Sequence, residues 1–429
     1  MKTETTKTHG LFLIILFAAI ASVFIFYFIY NSGNDNSAAE NMLDSVTANP
    51  HIINAGLPAE ARTEFSGEEP EKQDIQPEEN PPSEPVEYRI SFTGTGDNLV
   101  HELIWMDARN RALPDGRAFN FKPIFADVAG MIANADIAFI NQETPMAGSG
   151  FAPSGYPLFN SPQELGHDLA ELGFDVINVA NNHMLDKGET GLINTVNFLR
   201  SLDTTPIGDY MNREELYEIK VIERGGIKVA FLAYTYGTNG LVLPAGSELV
   251  IPYIDDGLII SQIAKAKEAA DAVLVSIHWG PENVFNPTDE QRRLAQLMAD
   301  HGVLAIIGHH PHVLQPIEWI EGSGGGRTLC VYSLGNFASG MTLPANMVGG
   351  FISFDIVMRG GIVTLEEPVF TPTIYYYARS WFDGHVYLLK DYTPELAASH
   401  GTQTRHGRPR TVEQLWEYVT RNIDAEFLR

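Results

Sequence analysis

Over most of this chain, short apolar runs of strand length alternate with amphipathic segments. From Tyr88 onward, runs rich in branched and aromatic residues recur, and stretches with leucine at helical spacing separate them. Short runs of this kind are typical of buried strands, and their alternation with helices predicts an α/β domain. The clearest helix, Thr288–His301, has a capping-box pattern at Thr288 and Gln291 and a glycine after its last turn. We expect the domain to cover residues 88–390.

The same pattern gives the order of the predicted elements. In chain order, the predicted strands are Arg89–Thr95, Asp136–Ile140, Asp175–Ala180, Lys228–Ala233, Ala272–Ile277, Val303–Ile307 and Leu329–Ser333. Two longer runs, Gly349–Val357 and Ile362–Phe370, flank an Arg-Gly-Gly turn and predict a hairpin at a sheet edge. A helix capped by Ser161 is expected between the second and third strands. The last residues, 391–429, are expected to form a helical tail.

One uncharged stretch, Leu11–Tyr30, stands apart from this pattern. Its twenty residues are long enough to cross the roughly 30 Å hydrocarbon core of a membrane as a single transmembrane helix. A cleavable signal peptide is the alternative, but its apolar core usually spans only ~7–15 residues. Lys2 and Lys7 precede the stretch and its far side is acidic, so residues 1–10 are expected to remain in the cytoplasm. The prediction is a single-pass anchor in the cell membrane, with the C-terminal domain extracellular.

Residues 31–87 have the composition of an extended linker. They contain 13 acidic residues against Arg62 and Lys72, a net charge of −11, together with seven prolines and no sustained periodicity. Such a segment cannot bury enough apolar surface to fold and is expected to be disordered. It supplies a large share of the formal charge of −26, and the rest of the chain offers no phosphate-neutralising surface. We therefore expect no nucleic acid among the partners.

Cys330 is the only cysteine among the 429 residues, and it lies in an apolar run. An intrachain disulfide is therefore impossible, although the domain is expected outside the cell, where disulfides are common. The chain is 44% hydrophobic, which is enough for a large core. That core alone must hold the domain together.

Polar residues suited to metal binding follow most of the predicted strands. They are Asp97, Glu143, Asn182, His183, His278, His310 and His312. Each has an ordinary explanation on its own: a turn residue, a loop acid, a helix cap or a chance group of surface histidines. The carboxyl ends of strands in an open α/β sheet are where sites are built, so the shared position favours one site. His310 and His312 flank Pro311, which interrupts the strand and lets two imidazoles converge.

The donor types of this set favour divalent metal ions. Carboxylate, amide and imidazole groups without a thiolate suit a borderline cation such as Zn, Mn or Fe. Six of these residues, all except His183, are more than one open catalytic metal needs. We therefore expect two ions with Glu143 or Asp97 between them, and His183 as general acid to the leaving group. Further candidates at the same strand ends are Asp186, Glu282 and Asn336.

Six motifs occur in a fixed order: G-D-N-L-V-H, N-Q-E-T-P, N-V-A-N-N-H-M-L-D, S-I-H-W-G, G-H-H-P-H-V and Y-S-L-G-N-F. In this order they resemble the poly-γ-glutamate capsule biosynthesis protein family, CapA, over about residues 88–357. That family is similar in fold to calcineurin-like metallophosphoesterases, so the resemblance implies a metallophosphoesterase-like α/β sandwich. The metal ligands that it implies are Asn182, His278, His310 and His312. It gives His183 the role of the acid.

At two positions this chain departs from the sequence motifs of the proteins it resembles. Phosphoesterases usually have aspartate at the bridging motif, where this chain has Glu143. Many relatives have an arginine shortly after the first aspartate, where this chain has His101, whose role stays open.

The resemblance implies a function outside the membrane. Members of the family are membrane-anchored extracellular proteins that act with a polymer ligase in the synthesis or export of poly-γ-glutamate. The expected partners are that anionic polymer, membrane-bound synthase subunits and the membrane itself through the N-terminal helix. The negative charge of the chain repels a polyanion, so metals and local basic residues would have to overcome it. Two alternatives stay open: a metal-dependent hydrolase of a phosphoester or γ-glutamyl amide unrelated to polymer assembly, and a non-catalytic assembly scaffold.

Overall fold

The computed structural model describes residues 86–113, 116–402 and 411–428. The expected anchor, Leu11–Tyr30, and the expected linker up to residue 85 lie outside these ranges, so both stay predictions. Within the described ranges, none of the helices is long and apolar enough to span a bilayer.

Strands and helices alternate along the described ranges. The strands are β1 (Glu87–Leu99), β2 (Ile137–Gln142), β3 (Val176–Asn178), β4 (Thr205–Ile207), β5 (Lys220–Arg224), β6 (Ile227–Thr235), β7 (Ala272–His278), β8 (Ala305–His309), β9 (Ile317–Glu321), β10 (Arg327–Val331), β11 (Asn336–Ser339), β12 (Val348–Arg359), β13 (Ile362–Tyr376) and β14 (His385–Leu388). The helices are α1 (Glu102–Asn110), α2 (Lys122–Phe125), α3 (Ala129–Ala133), α4 (Glu164–Leu172), α5 (Gly188–Arg200), α6 (Asp256–Ala269), α7 (Asp289–Asp300), α8 (Pro394–Ser399) and α9 (Val412–Asn422). Helix α7 begins as predicted, since Thr288 caps it and Gln291 completes the capping box. The cap predicted at Ser161 is wrong, because α4 begins later and Gln163 stands at its N-cap.

Two mixed sheets make up the centre of the fold. The first has the strand order β14-β13-β12-β1-β2-β3-β4, and β11 pairs with the end of β1. Its strands β1 to β4 and β11 are parallel, while β12, β13 and β14 continue the sheet in antiparallel pairing. The second sheet has the order β5-β6-β7-β8-β10-β9, with parallel inner strands and antiparallel edges. The parallel strands of each sheet end on the same side, which is where the predicted donors stand.

Apolar side chains fill the space between the sheets and beneath the helices. The inner core contains residues of both sheets, such as Phe92 of β1 and Leu274 of β7. Leu165 of α4 belongs to a second cluster on the outer face of the first sheet, and Leu294 of α7 to a third on the outer face of the second. Successive side chains of a strand point to opposite faces, so each sheet supplies both an inner and an outer layer. The α/β sandwich predicted from the sequence is therefore present.

Two details of the predicted sheet are wrong. The hairpin of β12 and β13 does not lie at an edge, because β12 pairs with the central strand β1 and β14 covers β13. Strand β1 runs to Leu99 instead of ending at Thr95, so Asp97 lies inside it. Pairing with β2 on one side and β11 on the other sustains β1 beyond the end of its apolar pattern.

The C-terminal residues, expected as a helical tail over 391–429, pack into the inner core. Leu415 and Val419 of α9 are buried there together with Ile423 and Phe427, which follow the helix. The four-residue spacing of Leu415 and Val419 places both on one face of α9, as in the apolar stripe that a helix buries against a core. The packing therefore continues past residue 390.

Candidate metal centre

Neighbouring strands hold Asp97 at the centre of the first sheet. It pairs with Asn141 of β2 and with Asn336 of β11, and the register of β1 shifts beside it. Gly96 permits this approach, because a Cβ there would lie 2.0 Å from the carbonyl oxygen of Gly335. The Asn141 amide donates to Asp97 Oδ1 at 2.8 Å, and the Asp97 side chain is fully buried. The strand pairing thereby fixes the position of this carboxylate.

The segment after β8 has a strained backbone at both predicted histidine ligands. His310 has a φ of 95° and His312 a φ of 56°, in the left-handed region that non-glycine residues rarely adopt. The carbonyl of Pro311, between them, accepts the N–H of Asn283 at 2.8 Å. Asn239 and Asn283 also have positive φ, so four of the seven such non-glycine residues in the described ranges surround this site. Strain of this kind clusters at functional sites, where the surrounding structure holds it in place.

Glu143 belongs to two groups of potential metal ligands. One group is Glu143, His278 and His310, the other is Asp97, Glu143 and His312, and in each the ligand atoms all lie within 4.8 Å of one another. We call these five residues the donor cluster. Glu143 Oε1 lies 3.5 Å from His278 Nε2 and 3.6 Å from His312 Nε2. If two neighbouring cations bound here, Glu143 would have to contact both of them, as its membership of both groups allows.

Several buried atoms of the donor cluster lack protein partners. Neither oxygen of Glu143 has a hydrogen-bond partner among the described residues, and the same holds for Nδ1 of His278 and of His310. All three side chains are buried. A buried polar atom without a partner costs about 1–3 kcal/mol, and most such atoms in native proteins are satisfied. The cluster therefore fits a bound cation, and oxygen and nitrogen donors without thiolate suit Zn, Mn or Fe.

Burial and neighbouring charges change the pKa of the cluster members. Burial raises the pKa of Glu143 to about 8. Burial alone would lower the pKa of His312, but the charges of Glu143 and Asp97 outweigh it and raise the pKa to about 10. Burial lowers the pKa of both His278 and His310, which keeps these imidazoles neutral. Neutral imidazole is the form that binds a metal.

Asp97 differs from Glu143 because both of its oxygens have partners. His312 Nδ1 lies 3.0 Å from Oδ2, and the backbone N–H of His310 donates to the same oxygen at 3.3 Å. His309 Nδ1 lies 3.3 Å from Oδ1. Burial alone would raise the pKa of Asp97, but hydrogen bonds from His309 and His312 hold it well below its usual range. The ionised carboxylate orients His312 through Nδ1, which leaves its Nε2 on the side of Glu143.

His183 and Asp186 form a pair beside the donor cluster. His183 Nδ1 lies 2.8 Å from Asp186 Oδ2, and the same oxygen accepts the N–H of Phe159 at 2.7 Å. The ring of Phe159 packs edge-on against the imidazole, with 4.8 Å between centroids. The carboxylate keeps the proton of the ring on Nδ1 and fixes its orientation. A histidine held in this way is suited to general acid–base chemistry through Nε2.

The segment after β6, for which the sequence predicts no ligand, contributes two residues to the site. Asn182 Oδ1 lies 3.0 Å from His278 Nε2, and the Asn182 amide donates to Asn239 Oδ1 at 3.2 Å. Tyr236 packs against the cluster, with its ring centroid 4.5 Å from that of His310. The predicted ligand Asn182 therefore reaches the cluster beside His278, and this loop supports it.

The remaining candidates occupy different positions. Glu282 is exposed and forms a third group with the two histidines after β8. Asn336 Oδ1 lies 3.0 Å from His312 Nδ1, so it supports that ring. His101 is outside these groups: the N–H of Gly340 donates to its Nδ1 at 3.1 Å, and burial lowers its pKa to about 4.

The sequence does not predict four residues of this site: Asn141, Tyr236, Asn239 and His309. Asn141 and His309 stand in the quoted motifs, and applying the strand-end rule to every polar residue of those motifs would have found them. Tyr236 and Asn239 also follow a strand, but a phenol and a lone amide are not typical metal ligands. A search for metal donors therefore passes over them.

Comparison with known proteins connects these motifs to one family. The family model of the bacterial capsule synthesis protein PGA_cap matches residues 91–341, more than half of the chain. The matched region includes the whole donor cluster. The resemblance to the capsule biosynthesis family is thereby confirmed.

Two curated relatives are similar over part of their length. The PGA biosynthesis protein CapA of Bacillus subtilis (strain 168) is 38% identical over 172 residues, which cover 39% of this chain and 43% of the relative. The capsule biosynthesis protein CapA of Bacillus anthracis is 32% identical over 182 residues, 42% of this chain and 43% of the relative. The chain therefore aligns with less than half the length of each.

Solved structures are similar at lower sequence identity. The calcineurin-like phosphoesterase YfkN from Bacillus subtilis matches with a TM-score of 0.39 and 13% identity, over 79% of this chain and 97% of that one. The 5'-nucleotidase precursor from Thermus thermophilus matches with a TM-score of 0.42 and 14% identity, over 78% of this chain and 59% of that one. Both TM-scores are below 0.5, too low to assign the fold or the chemistry of this chain from either structure.

Proposed function

Because the chain belongs to the bacterial capsule synthesis protein family PGA_cap, we propose that it takes part in the synthesis or export of poly-γ-glutamate. We propose further that it hydrolyses a phosphoester or amide bond at a centre of two metal ions. The names of the two Bacillus relatives support the first part. One observation carries the second part: Glu143 is buried, neither of its carboxylate oxygens has a hydrogen-bond partner among the described residues, and two groups of donors share it.

Two neighbouring sets of residues would hold the ions. The first is Glu143, His278 and His310, with Asn182 beside them, and the second is Asp97, Glu143 and His312. Bound cations would neutralise charge on the attacked group and lower the pKa of a water molecule. Asp97 belongs to the second set because one of its oxygens lies within 4.8 Å of the ligand atoms of both Glu143 and His312.

His183 would protonate the leaving group. Hydrolysis adds the elements of water across a bond, so the departing oxygen or nitrogen needs a proton. The Asp186 carboxylate accepts a hydrogen bond from Nδ1–H and stabilises the imidazolium, so Nε2–H is the proton donor. Phe159 packs against the ring and limits the access of bulk water to it.

The proposed location rests on the sequence outside the described ranges, and the proposed partners rest on membership of the capsule synthesis family. The uncharged stretch over residues 11–30 would anchor the chain in the cell membrane, and the acidic residues 31–87 would hold the domain outside the cell. There the domain would meet the polymer and the membrane-bound synthase subunits.

The experiment that tests catalysis replaces His183. General acid catalysis is typically worth 10²–10⁴-fold, or about 3–5 kcal/mol of barrier. We expect His183→Ala to keep its metals, as measured by elemental analysis, and to hydrolyse an activated phosphodiester or poly-γ-glutamate more slowly by about that factor. His183→Asn controls for lost packing. His167→Ala removes an exposed imidazole outside the site and should keep the wild-type rate.

A scaffold would give a different result. Metal-loaded wild-type protein that is inactive on both substrate classes, together with normal polymer yield from cells carrying His183→Ala, would contradict the catalytic part of the proposal. Loss of polymer on deletion of residues 88–429 would then leave the protein as a non-catalytic assembly component.

A further inference from the structure

The loops around the donor cluster contain almost no basic residues. We define the mouth segments as the residues that follow β1, β2, β3, β6, β7 and β8, namely 100–101, 143–163, 179–187, 236–255, 279–288 and 310–316. They hold five acidic residues and one basic residue, Lys187. Lys187 Nζ donates to the carbonyl oxygen of Leu158 at 3.0 Å. Residues 403–410, with three further arginines, lie outside the described ranges, so the count concerns the mouth segments alone.

The same segments expose large apolar side chains. Six of the eleven such side chains in the described ranges belong to them: Tyr156, Leu158, Tyr236, Val242, Tyr253 and Val284. Apolar residues exposed singly are normal, but Tyr236 is the one of these six whose ring packs directly against the donor histidines. Of the five acidic residues, Glu143 and Asp186 are buried in the site, and Glu248, Asp255 and Glu282 are exposed. With Lys187 as their one basic residue, the mouth segments offer little positive charge to attract a polyanion.

Tyr236 connects this apolar surface to the donors. Its ring centroid lies 4.5 Å from that of His310, and it stacks with the ring of His278 at 6.3 Å. Its backbone N–H donates to the His278 carbonyl at 2.9 Å. Tyr236 is nevertheless 45% exposed. The Tyr236 ring packs against the donor histidines and is still partly exposed. It can therefore contact a ligand that is bound at the donor cluster.

We propose that Tyr236 contacts the substrate, and that this substrate carries one anionic group at the metals and an uncharged, apolar group beside it. The inference rests on the proposed function and specifies its substrate class. An aromatic ring favours a planar or apolar neighbour, whereas poly-γ-glutamate repeats a carboxylate at every residue. The interior of that polymer is then a poor ligand of the centre, and the bond that is hydrolysed lies next to an apolar group.

Two phosphonates with the same metal-binding head test the inference. Phenylphosphonate has an apolar ring beside that head, and 2-carboxyethylphosphonate has a carboxylate. In titration calorimetry with metal-loaded protein, we expect phenylphosphonate to bind about tenfold more tightly. Tyr236→Ala should weaken the binding of phenylphosphonate about threefold to tenfold and leave that of the carboxyethyl compound unchanged.

Two further variants separate the ring from general effects on the fold. Tyr236→Phe keeps the ring and should keep the preference for phenylphosphonate. Tyr217→Ala removes a tyrosine of similar exposure outside the mouth segments and should bind both compounds as the wild type does.

The outcomes also separate this inference from the proposed function. Wild-type protein without bound metal would contradict both. Bound metal with equal or tighter binding of 2-carboxyethylphosphonate, or of a γ-glutamyl oligomer, would overturn the inference and leave the proposed function intact. An unchanged preference in Tyr236→Ala would overturn the role of Tyr236.

Discussion

Two regions of this protein bury histidines, and the hydrogen bonds of those histidines differ. At the candidate metal centre, His278 and His310 each leave Nδ1 without a partner among the described residues. Near the C-terminus, His400 is equally buried, but its Nε2 donates to the Tyr375 carbonyl at 3.2 Å and its Nδ1 accepts the Thr402 N–H at 3.1 Å. Burial alone therefore does not identify a functional histidine. The ring nitrogens give a second difference, because both nitrogens of His400 have partners, whereas His278 and His310 each keep one buried nitrogen without a hydrogen bond.

The largest expected difference between the two regions is their response to metal. Glu143→Gln replaces a buried carboxyl, whose pKa burial raises to about 8, by an uncharged amide of the same shape. Without metal, the variant should unfold at the wild-type temperature or above it. With a divalent ion at about 100 times its Kd, calorimetry should show a gain of about 2.7 kcal/mol for the wild type and almost none for the variant.

His400→Gln is the matched control for this experiment. It changes a buried histidine of the other region and should show the same gain from metal as the wild type. A full gain in Glu143→Gln would show that the two ions do not share this carboxylate.

The second expected effect is a pH dependence of stability, to which His400 contributes. Burial lowers the pKa of His400 to about 4, whereas an unfolded histidine titrates near 6.5. Between these values the unfolded chain binds a proton that the folded protein does not, so stability falls as the pH falls from about 6.5 to 4. The loss approaches about 3 kcal/mol at pH 4. Urea unfolding between pH 7 and 4.5 should show that His400→Gln avoids most of this loss. Equal pH slopes in the two proteins would exclude His400 as its source.

The smallest difference concerns the metal-free protein at neutral pH. His310→Gln removes a ring whose Nδ1 has no hydrogen bond to lose, so stability should change by less than about 1 kcal/mol. His400→Ala leaves the Thr402 N–H and the Tyr375 carbonyl without this partner, which should cost about 1–3 kcal/mol in addition to lost packing. Urea unfolding without metal ranks the two variants. A larger loss of stability in His310→Gln than in His400→Ala would mean that hydrogen bonds to the ring nitrogens do not distinguish a structural histidine from a metal ligand.

The sequence predicts the donors of the candidate site better than their surroundings. His310 and His312 are recognisable because the proline between them requires an irregular backbone, and both have positive φ in the structure. Glu143 is recognisable because it directly follows β2. Both features depend on a few consecutive residues. Tyr236 also follows a strand, but it has no metal-binding group, so its position matters only once its ring is seen against His310.

The arrangement of the sheets shows the same limit. The alternation of strands and helices is local, and it predicts the α/β class. Which strands become neighbours depends on residues far apart in the chain, as in the pairing of β1 with β12. The four-residue strand β14 is too short to give a clear pattern. Without it, the hairpin of β12 and β13 is wrongly expected at the edge.

The position of Asp97 has a consequence for how the protein folds. Its contact with the N–H of His310 spans 213 positions of the sequence, and it also pairs with Asn336 of β11. Contacts this distant form late, because closing a long loop costs entropy before the new contacts compensate for it. The donor cluster is therefore complete only after both sheets have joined. Binding of a metal ion at the donor cluster would therefore report that the segment between Asp97 and His312 has folded.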